Sequence, residues 1–147
     1  MNTRLRVALV MFLVLLMFSC NKKDSDIQGG NNRFTFNGSI YKITGGEYSV
    51  GGNDVVVFLY SEGKANVVYL DLLNTSAIPE GTFTYEKTGA NNIRFDYSST
   101  DIDEDNYKFS GGTVSISKSG DIYNLSFDIQ TEAGPLKGYY KGKLPQQ

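Results

Sequence analysis

From Asp121 to Gln130 every second residue is apolar. Tyr123, Leu125, Phe127 and Ile129 alternate with Asn124, Ser126, Asp128 and Gln130. Side chains of an extended strand repeat every two residues, so this run puts four large apolar groups on one face and four polar groups on the other. A helix would scatter both sets around its circumference. The same period recurs in Arg33 to Phe36 and in Gly81 to Lys87, with Phe83 and Tyr85 inward. It recurs again in Ile93 to Tyr97, in Thr113 to Lys118 with Val114 and Ile116 inward, and in Leu136 to Leu144. No stretch after residue 20 carries a helical period, so these segments commit the chain to a sheet.

Turn signals separate the strands. Asn37-Gly38 predicts a two-residue hairpin, because both central positions of the favoured turn need positive φ. Asp54 to Tyr60 (DVVVFLY) and Asn66 to Leu73 (NVVYLDLL) are apolar almost throughout, and Ser61 to Ala65 links them. Such runs predict strands covered on both sides, or facing a cavity on one. Gly45-Gly46 and Gly51-Gly52-Asn53 bracket a short segment, Glu47 to Val50. Ser98 to Asn106 reads as a polar, acidic loop. Tyr107 to Phe109 reads as a short strand closed by Gly111-Gly112, separate from Thr113 to Lys118. About nine to ten strands at short spacing predict an all-β fold after an N-terminal signal helix. It is a single antiparallel β-barrel, lipocalin/calycin-like, or a strongly bent β-sandwich.

The last hairpin carries finer expectations. Asp128 lies beside Lys137 or Tyr139, depending on register. Lys137, Lys141 and Lys143 share the outer face and read as an edge guard, since lysines on an exposed strand discourage edge-to-edge pairing. Gly138 and Gly142 fall on the inner face, where a missing side chain points to sharp curvature or a bulky neighbour.

The N-terminus gives an address. Arg4 and Arg6 precede an unbroken apolar run from Val7 to Phe18, followed by Ser19 and Cys20. A positive region, an apolar stretch of about a dozen residues and a small residue describe a secretory signal. Twelve helical residues reach only about 18 Å, short of the ~30 Å hydrocarbon core. Leu16-Met17-Phe18-Ser19-Cys20 resembles a bacterial lipobox, and the resemblance implies that Cys20 is lipidated and becomes the new N-terminus. Cys20 is the only cysteine, so the chain forms no internal disulfide. The expected organisation is a lipoprotein signal peptide at 1–19, a lipidated flexible tether at 20–32 and an all-β domain at 33–147. The Lys/Asp-rich stretch Asn21 to Asp26 resembles the surface-export signal of Bacteroidetes lipoproteins and reads equally as a solvated leash.

Composition excludes several functions. With Arg4 and Arg6 removed, 12 basic residues stand against 16 acidic, a net charge of −4. No basic patch stands out, which argues against nucleic acid. There is no histidine, so His-based triads and His metal ligands are absent, and the lone thiol is assigned to lipid. Asp71, Glu86, Asp96 and Asp128 lie on strands, but nothing selects a glycosidase-like pair. Neither a cofactor nor a catalytic activity is expected.

The remaining motifs carry a second resemblance. Ile78-Pro79-Glu80-Gly81-Thr82-Phe83-Thr84-Tyr85, Gly111 to Gly120, Tyr123 to Asp128 and Gly134 to Leu144 look like the turn and strand motifs of small all-β Bacteroidetes lipoproteins. Their quoted residues are turn glycines and inward aromatics. The resemblance implies an outer-membrane lipoprotein, periplasmic or surface-exposed, and transfers no site.

Two groups are candidate sites. Asp101, Asp103 and Asp105 alternate like the start of a calcium loop. Asn106 stands where the tight-turn glycine belongs and Gly112 where the bidentate glutamate belongs, so an EF-hand is excluded and only a looser metal site remains. Among ten tyrosines, Tyr60, Tyr69 and Tyr139 are candidate ligand contacts, since tyrosine offers a flat apolar face and a polar tip. The expected function is a lipid-anchored, non-catalytic binding module for a small amphipathic or glycan ligand. The alternative is a structural or accessory outer-membrane protein acting through protein contacts.

Overall fold

A computed structural model describes residues 31–85 and 98–147. The signal, Cys20, most of the tether and the expected strand Ile93 to Tyr97 lie outside the described residues. Among the described residues ten strands run in chain order: β1 Arg33–Phe36, β2 Ser39–Lys42, β3 Gly45–Gly51, β4 Asp54–Tyr60, β5 Val67–Leu73, β6 Gly81–Thr84, β7 Ser99–Ile102, β8 Asp105–Ser119, β9 Ile122–Thr131 and β10 Gly134–Gly142. One turn of 3-10 helix, Glu62–Lys64, joins β4 to β5. No helix among the described residues is long and apolar enough to cross a membrane.

The strands lie in the order β2-β1-β10-β9-β8-β7-β5-β4-β3, with β6 beside β8. All the named strand pairs are antiparallel, and the sheet curls strongly into a half-barrel. Two devices produce the curl. The first is β8, fifteen residues long, which changes partner along its length. Asp105 to Lys108 pair with β7, whereas Phe109 to Ser119 pair with β9. Between them the register slips at Phe109/Gly111, a β-bulge that leaves Ser110 unopposed and bends the strand. The second is the short step from β2 to β3. These strands form opposite ends of the sheet, yet only Ile43 and Thr44 separate them. Ile43 N–H donates to the Asn32 carbonyl, and Thr44 N–H donates to that of Tyr60, both at 2.9 Å. Two ends joined by two residues must lie close together.

The inward side chains fill the curl. Phe34, Val55, Val57, Leu59, Val68, Leu70, Leu72, Val114, Leu125 and Leu136 are fully buried in one cluster. Gly138 shows why its position carries no side chain. A Cβ there would overlap the Phe127 ring and come within 2.8 Å of Phe34 Cβ.

Several sequence expectations hold. β1 and β4 have the expected bounds. Asn37 and Gly38 adopt φ of 47° and 82° in their hairpin turn. Lys137 stands opposite Asp128, with Nζ and Oδ2 3.0 Å apart. Others are corrected. Ser98 to Asn106 is largely a hairpin: β7, a turn at Asp103-Glu104 and the start of β8. Both turn residues take positive φ, 53° and 75°, without a glycine to announce them. The two expected segments flanking Gly111-Gly112 are one strand bent at a bulge. The lysine row guards no edge, because β10 is paired on both sides, with β1 and β9. The exposed edge of β3 is instead met by the C-terminus, where Tyr48 N–H donates to the Pro145 carbonyl and Gln147 N–H to that of Tyr48. β3 also absorbs Gly45, Gly46 and Gly51, three of the glycines expected to bracket it, while Gly52 stays in the turn to β4.

Candidate functional site

The most informative surface is the outer face of β4 and β5. Val55, Val57 and Leu59 are buried on β4, as are Val68, Leu70 and Leu72 on β5. The intervening Val56, Phe58, Tyr60, Val67 and Tyr69 are half-buried and point away from the core. The expectation of strands covered on both sides holds fully for the inner face and in part for the outer one. One side is core, and the other is an apolar, aromatic face only partly shielded from water.

Register places the aromatics together. Phe58 stands opposite Tyr69, and Tyr60 opposite Val67. The Phe58 and Tyr69 rings meet edge to face, with centroids 5.6 Å apart at 82°, the arrangement favoured by the ring quadrupoles. Tyr60 is held from two sides. Gly45 lies opposite it on β3, and a Cβ there would stand 2.7 Å from Tyr60 Cε2. Lys64 Nζ sits 4.7 Å from the ring centroid, within cation–π range.

Carboxylates surround this strip. Glu47 is opposite Phe58 on β3, Asp71 is opposite Val56 on β5, and Asp101 is opposite Val67 on β7. Lys64 Nζ lies 2.8 Å from Glu47 Oε1, which lowers the carboxyl pKa and raises that of the ammonium. The Tyr69 hydroxyl donates to Asp101 Oδ2 at 2.7 Å, and Asn106 Nδ2 donates to Asp101 Oδ1 at 2.6 Å. Partial burial, and then the Asp101 carboxylate, push the Tyr69 phenol up to about 12. At neutral pH Tyr69 is thus a fixed donor whose direction is set. An ionised carboxylate has about four lone-pair sites, so Asp101 and Glu47 keep acceptor capacity for a ligand hydroxyl beside an apolar surface.

The tyrosine candidates divide. Tyr60 and Tyr69 share this face. Tyr139 lies elsewhere, on β10 opposite Ser126 and Arg33, with its hydroxyl donating to Asn124 Oδ1 at 3.4 Å. The three aspartates of the candidate metal loop each face a partner of their own. Asp101 faces Tyr69 and Asn106, Asp103 Oδ2 accepts from Tyr41 at 3.4 Å, and Asp105 Oδ2 accepts from Tyr107 at 3.3 Å. No cluster of three metal-ligating side chains occurs among the described residues. Burial, with the adjacent carboxylates, raises the pKa of both Tyr41 and Tyr107. Of the four strand carboxylates, Glu86 and Asp96 lie outside the described residues, as does Cys20.

Phe58, Glu47 and Lys64 escaped the sequence reading. Phe58 sits inside a continuous apolar run, where nothing in the sequence tells the outward residues from the inward ones. Glu47 and Lys64 meet only because β3 folds back on β4. No family model, curated protein or solved structure matches the chain.

Proposed function

We propose that this protein is a lipid-anchored envelope lipoprotein whose β-domain is a non-catalytic binding module for a glycan. The anchor rests on Cys20 and the signal pattern before it. The observation that carries the binding reading is the outward aromatic strip Tyr60-Phe58-Tyr69, bordered by Glu47 and Asp101. A sugar ring has apolar C–H faces and a rim of hydroxyls. Aromatic side chains serve the first and carboxylates the second.

A second reading, contact with another envelope protein, draws on the same apolar strip. Aromatic side chains are also the commonest anchors of protein interfaces. The two readings separate on a glycan array probed with the soluble Cys20→Ala chain. Retention of at least one oligosaccharide class, with binding about tenfold weaker (~1.4 kcal/mol) in Phe58→Ala, is expected. A blank array overturns the glycan reading. Cys20→Ala should also move the protein from the membrane fraction to the soluble one, and persistence in the membrane would overturn the anchor.

A further inference from the structure

A different part of the surface bears on how the domain meets its membrane. Where the described chain begins, an open pocket of about 590 Å³ lies beside the β1–β2 hairpin. Its lining includes Arg33, Lys42 and Lys141, with Asn32, Ile40 and Ile43 between them. Three cationic residues converge here on a chain that is acidic overall.

The convergence follows from register. Arg33 on β1 stands opposite Lys42 on β2. Lys141 on β10 is brought in by Asn32, whose Oδ1 accepts from the Lys141 N–H at 2.7 Å and whose Nδ2 donates to the Lys141 carbonyl at 3.1 Å. Neither Lys42 nor Lys141 forms an ion pair among the described residues, in contrast to Lys64, Lys137 and Lys143. The apolar component is equally unusual. Ile40 is 66% exposed, the most exposed large hydrophobic residue among those described.

Cations around a pocket with a protruding aliphatic side chain match an anionic head joined to an alkyl chain. We infer that this pocket holds the phosphate headgroup of an anionic phospholipid and seats this end of the half-barrel on the bilayer, with Ile40 at the acyl boundary. Position supports the assignment. Eleven residue steps separate Cys20 from Asn31, and a fully extended chain spans at most ~3.3–3.6 Å per step. The pocket therefore stays within roughly 40 Å of the proposed lipid. Lysines and arginines held near an anionic membrane are drawn to its surface.

The inference rests on the envelope location proposed above, and the test separates the two. The Cys20→Ala chain has no anchor, so its binding to vesicles reports the pocket alone, whereas anchorage is read by cell fractionation. Cosedimentation with phosphatidylcholine vesicles containing phosphatidylglycerol should exceed that with phosphatidylcholine alone by about tenfold or more. In Cys20→Ala, the further pair Lys42→Glu and Lys141→Glu should abolish that preference with the melting temperature retained. The pair Lys108→Glu and Lys118→Glu changes net charge equally on other exposed sites and should leave most of it. Equal binding to both vesicle types, or equal loss in the two pairs, overturns the inference. Displacement by millimolar inorganic phosphate at constant ionic strength also overturns it, by showing a site for free anions.

Discussion

β4–β5 and β9–β10 are the same object seen from inside. Each is an antiparallel pair whose alternate residues are buried in the common core. Seen from outside they differ. β9–β10 presents mainly polar side chains, Asn124, Ser126, Asp128, Lys137 and Lys141, with Ile122 and Tyr139 among them. β4–β5 presents Val56, Phe58, Tyr60, Val67 and Tyr69, with Asp54 and Asp71 toward one end. Since β9–β10 pairs well with a polar exterior, the sheet does not need an apolar one to form. The outer aromatics of β4–β5 are therefore not required for strand pairing as such, and a contiguous apolar surface of that kind is the feature on which the proposed binding role rests.

If the inner faces are equivalent, Leu70→Ala and Leu125→Ala should cost about the same. Both residues are fully buried, and each loss should be roughly 2–5 kcal/mol by urea unfolding. A loss confined to one of them would break the equivalence. Glycines sharpen the contrast next. Gly138→Ala forces a Cβ into the Phe127 ring and should cost about 1–3 kcal/mol. Gly51→Ala, with nothing within 4 Å of its Cβ, should change stability by less than about 0.5 kcal/mol.

The outer aromatics should behave as a small stability element. A double-mutant cycle on Phe58→Ala and Tyr69→Ala should give a coupling of about 0.5–1.5 kcal/mol. Tyr69 should titrate near 12, read as the phenolate absorbance lost in Tyr69→Phe, and Asp101→Asn should bring it down. Its folded pKa is raised above the ordinary tyrosine value of 10.0. The folded state therefore holds that proton more tightly. The contribution to stability is present in full below about pH 10 and is lost as pH rises toward 12. A tyrosine titration without that late component would remove Asp101 from the account of the site. The smallest effect belongs to the polar face. Lys137→Ala should cost about 0.2–1 kcal/mol, less in high salt, because its ion pair with Asp128 is largely exposed.

The inward residues of β1, β8, β9 and β10 were legible in the sequence because period-two alternation reports one buried face directly. The half-barrel curl was legible only as an alternative to a bent sandwich, since its causes are the bulge at Ser110 and the two-residue step from β2 to β3. Neither has a composition of its own. The β7–β8 hairpin was hidden by Asp and Glu, which read as loop although Thr100 and Ile102 alternate inward. The candidate site was half legible. Tyr60 and Tyr69 stood out as residue types, but an apolar run such as DVVVFLY does not declare which half of its residues faces out. The partners of the three loop aspartates were hidden for a related reason. Spacing in sequence says nothing of whether three carboxylates find nearer partners.

The central claim is that the outer face of β4–β5 is the working surface. It is tested most directly by mapping backbone amide shifts of the isotope-labelled Cys20→Ala chain as the best-binding oligosaccharide is added. The account predicts saturating shifts clustered at Val56 to Tyr60, Val67 to Tyr69 and Asp101, with β9–β10 unmoved. Shifts confined to β9–β10, or none at millimolar ligand, would contradict it.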